Sequence, residues 1–319
     1  MLQKYFYLIL LFCFSSALAA ESQTAAKPTK KLSLGLNWKA EPQFGGFYTA
    51  QIKNIYEKNN LSVEIIEGGS GTPTVQMLSH DKIDYGIVSA EELLISNERN
   101  PQNQLVALYA VYKTNPQMIM THAERNFASL KDVFQNEGIL ALQQGLSYAQ
   151  YLKKLYQPVK ANLVPYLGGI GNFQNNKKYS QQGFINSEDL LAEKKGLKIK
   201  TFLVADSGFN PYTTVLATQL KRVKSNRDEV LHMIQSTRQG WTEYLKSPQE
   251  TNVFLAKINK AMDADTMNKA AVSQQSLIEV SGETLGKMKP ERWEKLQTQL
   301  HELKVVKSKT TPASSYFEE

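Results

Sequence analysis

Cysteine is almost absent from this chain of 319 residues, and its one example is Cys13. It lies within the opening MLQKYFYLILLFCFSSALAA, where a basic residue, Lys4, is followed by an apolar run and a small-residue ending. These features predict a cleavable secretory signal peptide at residues 1–20. The alternative, an N-terminal membrane anchor, would need a longer run, because roughly 20 apolar residues span a bilayer. Cleavage would leave a chain without a thiol, which excludes disulfides, a cysteine nucleophile and thiolate metal sites.

Long apolar runs and a strong charge are also missing from the rest of the sequence. No later segment is apolar for long enough to cross a membrane, so we expect the mature protein to be soluble. The formal charge of the whole chain is +7, and its 37 Lys and Arg residues are interspersed with 30 Asp and Glu residues. A protein that reads nucleic acid would more often show a basic stripe with interleaved aromatic residues. Nucleic acid is therefore not an expected partner.

Motifs of catalysis and of metal binding are absent as well. The sequence has no Gly-x-Ser-x-Gly elbow and no Walker loop, and GGIG at residues 168–171 lacks the Lys-Ser or Lys-Thr of a phosphate loop. The four histidines are far apart in the sequence: His80, His122, His232 and His301. No metal, cofactor or catalytic residue is predicted. A metal site built from distant residues and an enzyme without a known motif both stay open.

The sequence does contain a regular alternation of short apolar strands with helices, from Leu32 to about residue 218. This pattern is typical of an α/β fold in which helices cover both faces of a mostly parallel sheet. It runs through two similar cycles, and from Ser225 onward the sequence predicts mainly helices. Two Pro-containing passages are candidate hinges, KTNPQ at residues 113–117 and DSGFNPY at residues 206–212.

These hinges predict two lobes with a cleft between them. Lobe 1 would be discontinuous, with residues 32–115 and 211–319, and lobe 2 would be the inserted piece, residues 116–210. The polar residues 21–31 would form a flexible linker. The Lys-, Ser- and Thr-rich tail after about Val305 would be frayed.

In such sheets ligands bind where the strands end, so the loops after the first three strands are candidate binding loops. The second of them, EGGSGTP, contains Ser70 and Gly71; its glycines would let the backbone approach a ligand, and the next helix would offer free N–H groups. A plain turn with a helix cap explains this loop equally well. The third loop, SAEE, brings Ser89 and Glu91 to the same region. We rank Ser89 above Glu91, since Glu91 can equally be a first-turn acid that complements the helix dipole.

The first loop lies in LNWKAEPQFGGFYTA and is rich in aromatic residues, namely Trp38, Phe44, Phe47 and Tyr48. Such rings can hold a planar ligand, each stacked pair contributing about 1 kcal/mol beyond the burial of area. A Gly45-Gly46 turn would let this wall come close to the ligand. For any one ring, packing inside its own lobe is the alternative.

Glu188, in the segment FINSED, follows a strand of the second cycle. It can complement the dipole of a helix that Asn186 or Ser187 caps. It can also face the cleft and accept hydrogen bonds from amino groups of a ligand. The local sequence leaves both interpretations open.

The order of these motifs resembles the opening of the periplasmic substrate-binding proteins of the nitrate, sulfonate and thiamine-pyrimidine precursor group. One branch holds the pyrimidine-precursor binding proteins and the thiamine-pyrimidine synthases, with the pattern W-x-x-x-P-x-x-x-G-F-Y-x-A. Here that pattern is Trp38, Pro42, Gly46, Phe47, Tyr48 and Ala50. Residues 181–218, with a Ser-Glu pair after a strand and an Asn-Pro-Tyr return, resemble the same branch. The resemblance spans roughly residues 32–218.

The resemblance implies a two-lobe periplasmic-binding-protein fold of type II that closes on a small ligand, without a cofactor and without chemistry. It implies a monomer in the periplasm that delivers its ligand to an inner-membrane ABC permease and its ATPase. The ligand would be a planar heterocycle such as a thiamine pyrimidine precursor. The first alternative is an alkanesulfonate, nitrate or another small anion. The second is an enzyme of thiamine-pyrimidine biosynthesis. It is disfavoured because the synthase relatives carry a cysteine-rich motif, whereas the predicted mature chain has no cysteine.

The resemblance also assigns site residues by position. Rings that line or stack on the ligand would come from Trp38, Phe47 and Tyr48. Hydrogen bonds would come from Ser70, Gly71 and Ser89. Glu188 would pair with the amino-pyrimidine edge, and two residues would lie on the return strand at the hinge, Asn210 and Tyr212.

Overall fold

The computed structural model describes residues 31–318. The predicted signal peptide lies outside the described residues, and so does the predicted linker except for Lys31, which is the first residue of a strand. In the described chain ten strands form two sheets of five. They are β1 (Lys31–Gly35), β2 (Ser62–Ile66), β3 (Tyr85–Val88), β4 (Leu105–Ala110), β5 (Gln117–His122), β6 (Ile139–Leu142), β7 (Asn162–Pro165), β8 (Tyr179–Phe184), β9 (Ile199–Leu203) and β10 (Val215–Gln219).

Helices cover the sheets and form most of the C-terminal part. Within residues 31–318 they are α1 (Gly45–Ile52), α2 (Ile55–Lys58), α3 (Thr74–Ser79), α4 (Ala90–Arg99), α5 (Leu130–Gln135), α6 (Ser147–Leu155), α7 (Gly171–Asn175), α8 (Glu188–Lys194), α9 (Leu220–Ser225), α10 (Arg227–Lys246), α11 (Gln249–Ile258), α12 (Ala264–Ile278) and α13 (Pro290–Glu302). None of these helices has the length and apolar character needed to span a membrane.

The two sheets share one pattern of pairing. The first has the strand order β2-β1-β3-β10-β4, and the second has the order β7-β6-β8-β5-β9. In each sheet the first three strands are parallel, and the fourth is antiparallel to both of its neighbours. The expectation of a mostly parallel sheet is therefore wrong for half of the pairings. The reason is the path of the chain between the sheets. β5 is the first strand that the chain forms in the second sheet after leaving the first, and β10 is the strand that it adds to the first sheet on its return.

The two sheets with their covering helices confirm the predicted α/β fold with two sheet-centred halves. The chain leaves the first sheet after β4 and enters the second at β5; it returns between β9 and β10. The predicted lobe boundaries, at residues 115/116 and 210/211, fall inside these two connections.

Arg292 in α13 ties the two crossing segments together. Its guanidinium donates twice to Asn210, at the main-chain carbonyl (2.6 Å) and at the side-chain Oδ1 (2.9 Å). It also donates to the carbonyl oxygens of Lys113 and Pro211. Asn115 adds a direct link, because its backbone N–H donates to Asn210 Oδ1 at 2.9 Å. The C-terminal helix thus holds both passages from one sheet to the other.

We expect Arg292→Lys to lower the free energy of unfolding by about 2 kcal/mol, because one ammonium group replaces a planar fork and leaves carbonyl oxygens unpaired. Urea denaturation followed by far-UV circular dichroism measures the change. Lys295→Arg, at an exposed position of the same helix, is the matched control and should keep the wild-type midpoint. Equal midpoints for Arg292→Lys and the wild type would show that these hydrogen bonds do not stabilise the crossing.

The packing of α1 against α10 explains the Gly45-Gly46 pair. A Cβ atom on Gly46 would lie 2.3 Å from the ring of Trp241, and one on Gly45 would lie 2.2 Å from the ring of Tyr244. Both glycines are buried at the start of α1. The expectation that they form a turn facing a ligand is wrong, since they let two helices approach each other.

The tail after Val305 is packed, in contrast to the predicted frayed end. The backbone N–H of Phe317 donates to the carbonyl of Ala107 in β4 at 2.8 Å. The ring of Tyr316 stacks on that of Trp293, with centroids 5.5 Å apart. The tail therefore covers β4, an edge strand whose outer backbone groups would otherwise lack partners.

Candidate ligand-binding cavity

A cavity of about 270 Å³ lies between the two sheets. The loops after β1, β2 and β3 bound one side, and residues from β8 and from the segments after β6 and β7 bound the other. All three loops that the sequence singled out contribute lining residues. The volume suits a single ring with short substituents, because pockets for drug-sized ligands begin at about 300 Å³.

Carboxylates dominate the charge of the lining. Four glutamates line the cavity, Glu41, Glu91, Glu92 and Glu188. No lysine, arginine or histidine of residues 31–318 is among the lining side chains. Aromatic side chains supply much of the remaining surface, namely Trp38, Tyr148, Tyr166, Phe184 and Phe209. The cavity thus combines carboxyl groups with apolar ring surfaces.

Glu188 is the first residue of α8, and two donors hold its carboxyl group. The hydroxyl of Tyr166 donates to Oε1 at 2.6 Å, and the backbone N–H of Phe184 donates to Oε2 at 2.8 Å. Burial raises the pKa of Glu188 above its usual range, although these hydrogen bonds act in the opposite direction. Ser187 precedes the helix but makes no capping hydrogen bond with its side chain. The result is a buried carboxyl group fixed at the cavity wall.

Glu41 lies near Glu188, and sequence reasoning missed it. It precedes a 3₁₀ turn, Pro42–Phe44, and is 8% exposed. Ser187 Oγ donates to Glu41 Oε2 at 3.2 Å, and the side chain of Trp38 also hydrogen-bonds the carboxyl group. Burial and then the charge of Glu188 raise the pKa of Glu41 to about 7. Because two close buried carboxylates repel each other, a cation or a hydrogen-bond donor between them would be stabilised.

The N-terminus of α4 supplies the other two glutamates. Glu92 Oε2 accepts the backbone N–H of Ser89 at 3.0 Å and its hydroxyl at 2.8 Å, while Ser89 Oγ accepts the N–H of Glu92. This reciprocal arrangement is a capping box. Glu91 is 8% exposed, and its Oε2 has no hydrogen-bond partner among the described residues. Ser89, which we ranked above Glu91, is therefore engaged in capping and also hydrogen-bonds the carboxyl group of Glu91, whose Oε2 has no partner among the described residues.

Four of the residues predicted to contact a ligand line this cavity, Trp38, Gly71, Ser89 and Glu188. The structure does not bring the other five to it. Phe47 is completely buried in α1, where its ring meets that of Trp241 edge-on at 5.9 Å. Tyr48, on the same helix, faces Phe254 of α11 at 6.0 Å between centroids. Both rings belong to the core because this helix is packed between α10 and α11.

The other three residues lie beside the cavity or at the crossing segments. Ser70 is exposed, while its neighbours Gly69 and Gly71 line the cavity. Asn210 is held by Arg292, as described above. The hydroxyl of Tyr212 accepts the backbone N–H of Lys289 at 2.9 Å, and the guanidinium of Arg292 lies 3.9 Å from its ring centroid.

Sequence reasoning also missed a polar group at the far wall. Gln182 Nε2 donates to Gln143 Oε1 at 2.6 Å, and the hydroxyl of Tyr148 donates to Gln182 Oε1. A signal was present, since β8 reads YSQQGF and is buried over its first five residues. Glutamines in a buried strand need polar partners, which points to a network or a ligand.

A protein-family model described as "NMT1/THI5 like" matches residues 41–135 and 179–251, more than half of the chain. A putative thiamine biosynthesis protein of Haemophilus influenzae is 32% identical over 80 residues, 25% of each chain. A 4-amino-5-hydroxymethyl-2-methylpyrimidine phosphate synthase of Candida albicans is 28% identical over 71 residues, 22% of this chain and 21% of the other. The chain therefore matches no more than about a quarter of the length of these relatives.

Solved structures of bacterial binding proteins share the fold. The periplasmic aliphatic sulphonate binding protein of Escherichia coli has a TM-score of 0.67 at 13% identity, covering 91% of this chain and 94% of the other. The alkanesulfonate-binding protein of Xanthomonas axonopodis bound to MOPS has a TM-score of 0.67 at 11% identity, covering 92% and 99%. The periplasmic nitrate-binding protein of Synechocystis has a TM-score of 0.62 at 11% identity, covering 90% and 83%. At such low identity these likenesses show the fold and not the ligand.

Proposed function

Because the chain belongs to the NMT1/THI5-like family, we propose that it is the solute-binding component of an ABC importer and binds a small planar heterocycle that bears amino groups. A thiamine pyrimidine precursor is the best candidate ligand. Secretion to the periplasm and delivery to an inner-membrane permease with its ATPase are parts of the same proposal. The nine residues assigned from the sequence stay predictions, and Trp38, Gly71, Ser89 and Glu188 have the support of the cavity geometry.

The observation that carries this proposal is the excess of hydrogen-bond acceptors in the cavity. Two lining residues have a buried oxygen without a hydrogen-bond partner in the described chain, Gln43 at Oε1 and Glu91 at Oε2. A buried acceptor without a donor is costly, so such oxygens are expected to meet donors of a ligand. An aminopyrimidine presents N–H donors at its edge and an apolar face to aromatic side chains.

The lack of a cationic side chain among the described lining residues speaks against the alternative of a small anion. A sulfonate or nitrate would enter a site with four glutamates and no lining lysine, arginine or histidine from residues 31–318. A buried anion needs a cation or several donors, because transfer out of water without them is unfavourable.

Isothermal titration calorimetry of the purified protein tests the proposal. We expect 4-amino-5-hydroxymethyl-2-methylpyrimidine to bind with micromolar or tighter affinity, and ethanesulfonate and nitrate to give no heat. The counterpart with a 4-hydroxy group in place of the amino group should bind at least about 10-fold more weakly, because it loses a donor to a charged acceptor. Heat from ethanesulfonate or nitrate alone would contradict the ligand class.

A second measurement separates a binding protein from an enzyme on the same fold. Ligand recovered from the complex after prolonged incubation should have an unchanged mass under our proposal. Conversion to a new compound would contradict a role in binding alone. The synthase alternative, to which the Candida albicans relative belongs, predicts instead that the pyrimidine phosphate is formed, which mass spectrometry of the incubated protein without added pyrimidine would detect.

A further inference from the structure

Glu91 is a buried carboxyl group that the fold itself does not need in a charged form. It occupies the second position of α4, next to the capping pair Ser89 and Glu92. An acid in the first turn complements the helix dipole, but an exposed side chain does so as well. Glu92 already provides a carboxylate at this helix end, and its negative charge repels a negative charge on Glu91. Burial of Glu91 beside a like charge therefore has no evident structural purpose.

The unpartnered oxygen of Glu91, Oε2, has no hydrogen-bond partner among residues 31–318, and a ligand in the cavity can supply one. Its side chain lines the cavity, is 8% exposed, and has an unpaired Oε2. No cationic side chain of residues 31–318 lines the cavity. A metal ion is an unsuitable partner, since residues 31–318 hold no group of three or more His, Cys, Asp or Glu side chains that could bind one. A ligand group with positive charge and several N–H donors fits best.

This position is separate from the carboxyl pair of Glu41 and Glu188. Burial and then Glu92 raise the pKa of Glu91 to about 8, and neither of the other two carboxyl groups contributes to that shift. Glu41, in contrast, is affected by Glu188. Glu91 lies at the start of α4, whereas Glu41 follows β1 and Glu188 begins α8, so the two acidic groups reach the cavity from different segments.

Two threonines that line the same cavity belong to the segment beside the start of α4. The segment that contains Thr213 and Thr214 lies against the start of α4, because the N–H of Ala90 donates to the carbonyl of Tyr212 at 2.9 Å. Both threonines are buried and line the cavity. Their hydroxyls are acceptors suited to the remaining N–H groups of an ammonium ion.

We propose that Glu91, with Thr213 and Thr214, forms a second recognition subsite that binds a protonated amine on an arm of the ligand. The arm would extend from the ring whose amino edge Glu41 and Glu188 recognise. This inference rests on the proposed function and narrows the ligand class to a planar ring with two separated nitrogen-borne groups.

A matched pair of ligands tests the subsite. 4-Amino-2-methylpyrimidines with a 5-aminomethyl or a 5-hydroxymethyl arm differ in one terminal group, and calorimetry at about pH 8.5 gives both dissociation constants. We expect the ammonium arm to bind on the order of 10- to 100-fold more tightly. In Glu91→Gln this preference should fall to about 1-fold. A wild-type preference near unity, or an unchanged preference in Glu91→Gln, would overturn the inference.

Glu98→Gln is the control variant, because Glu98 lies on the same helix at an exposed position outside the cavity. It should keep the wild-type preference.

A second pair of ligands without a pyrimidine, benzylammonium and benzyl alcohol, separates a failure of the amine subsite from a failure of the proposed pyrimidine ligand. If neither pyrimidine binds but thermal stabilisation by benzylammonium disappears in Glu91→Gln, the subsite stands and the proposed ring is wrong. If neither pair shows a preference that depends on Glu91, the subsite is wrong.

Discussion

Replacing Glu188 by glutamine is expected to weaken the binding of a 4-aminopyrimidine by roughly 100-fold. The carboxyl group of Glu188 is buried, and its two oxygens are already oriented by Tyr166 and by the N–H of Phe184. A glutamine has nearly the same shape but one oxygen in place of two. Its amide N–H₂ would face either the hydroxyl of Tyr166 or the N–H of Phe184, which are both donors in the present arrangement. The substitution therefore removes a charged acceptor for the ligand and disturbs the contacts that position it.

Stability has to be measured beside affinity for this variant. Glu193→Gln is the matched control, since Glu193 lies on the same helix and is exposed. Calorimetry should show wild-type affinity for Glu193→Gln and the large loss for Glu188→Gln, with both variants folded by circular dichroism. Wild-type affinity in a folded Glu188→Gln would remove this carboxylate from the ligand site.

Raising the pH is expected to destabilise the ligand-free protein. Glu41 has a pKa of about 7 in the fold against an ordinary value of 4.5, chiefly because it is buried and then because Glu188 lies nearby; Lys39 acts in the opposite direction. A carboxyl group whose pKa is raised by folding contributes stability that is fully present below about pH 4.5 and is lost as the pH rises through about 7. For Glu41 alone the loss is on the order of 3 kcal/mol. Glu91 acts in the same direction up to about pH 8.

Urea denaturation of the ligand-free protein between about pH 5 and about pH 9 measures this dependence. The midpoint of the wild type should fall across the range, and in Glu41→Gln it should fall less, because the amide does not ionise. Glu193→Gln, at an exposed position, should keep the wild-type slope. The expectation would be refuted by a wild-type midpoint that stays constant, or by the same slope in Glu41→Gln.

Features set by neighbouring residues were predictable from the sequence. The strands at LSLG and YGIV follow from short apolar runs with turn residues beside them, and the structure has them as β1 and β3. The capping role open to Ser89 depends on Glu92 three residues later, which is a local relation. The position of loops at strand ends follows from the alternation of strands and helices, and it pointed to the three loops that bound the cavity.

The contents of the site were predictable only in part, because ligand-facing and core-facing residues have the same local appearance. Trp38 and Phe47 are both aromatic and lie in one motif, yet Trp38 lines the cavity while Phe47 packs against Trp241. The face of α1 that is buried depends on α10, which is almost two hundred residues away along the chain. Glu41 was missed for a similar reason, since its partner Ser187 is 146 residues distant.

The sequence by itself determined most of the strands and helices, the two βα cycles and the places where loops gather, although the strand β5 (Gln117–His122) was not predicted. These properties depend on side-chain periodicity, on turn residues and on caps, which act over a few residues. Only the tertiary structure decided that β5 and β10 are the antiparallel strands formed after each passage of the chain between the sheets. It also decided that Arg292 joins these two passages and that four carboxyl groups line one cavity. These relations bring together groups that are far apart in the chain, and burial then sets their pKa values. Long-range packing therefore decided the chemistry of the site, within a framework that local patterns had already set.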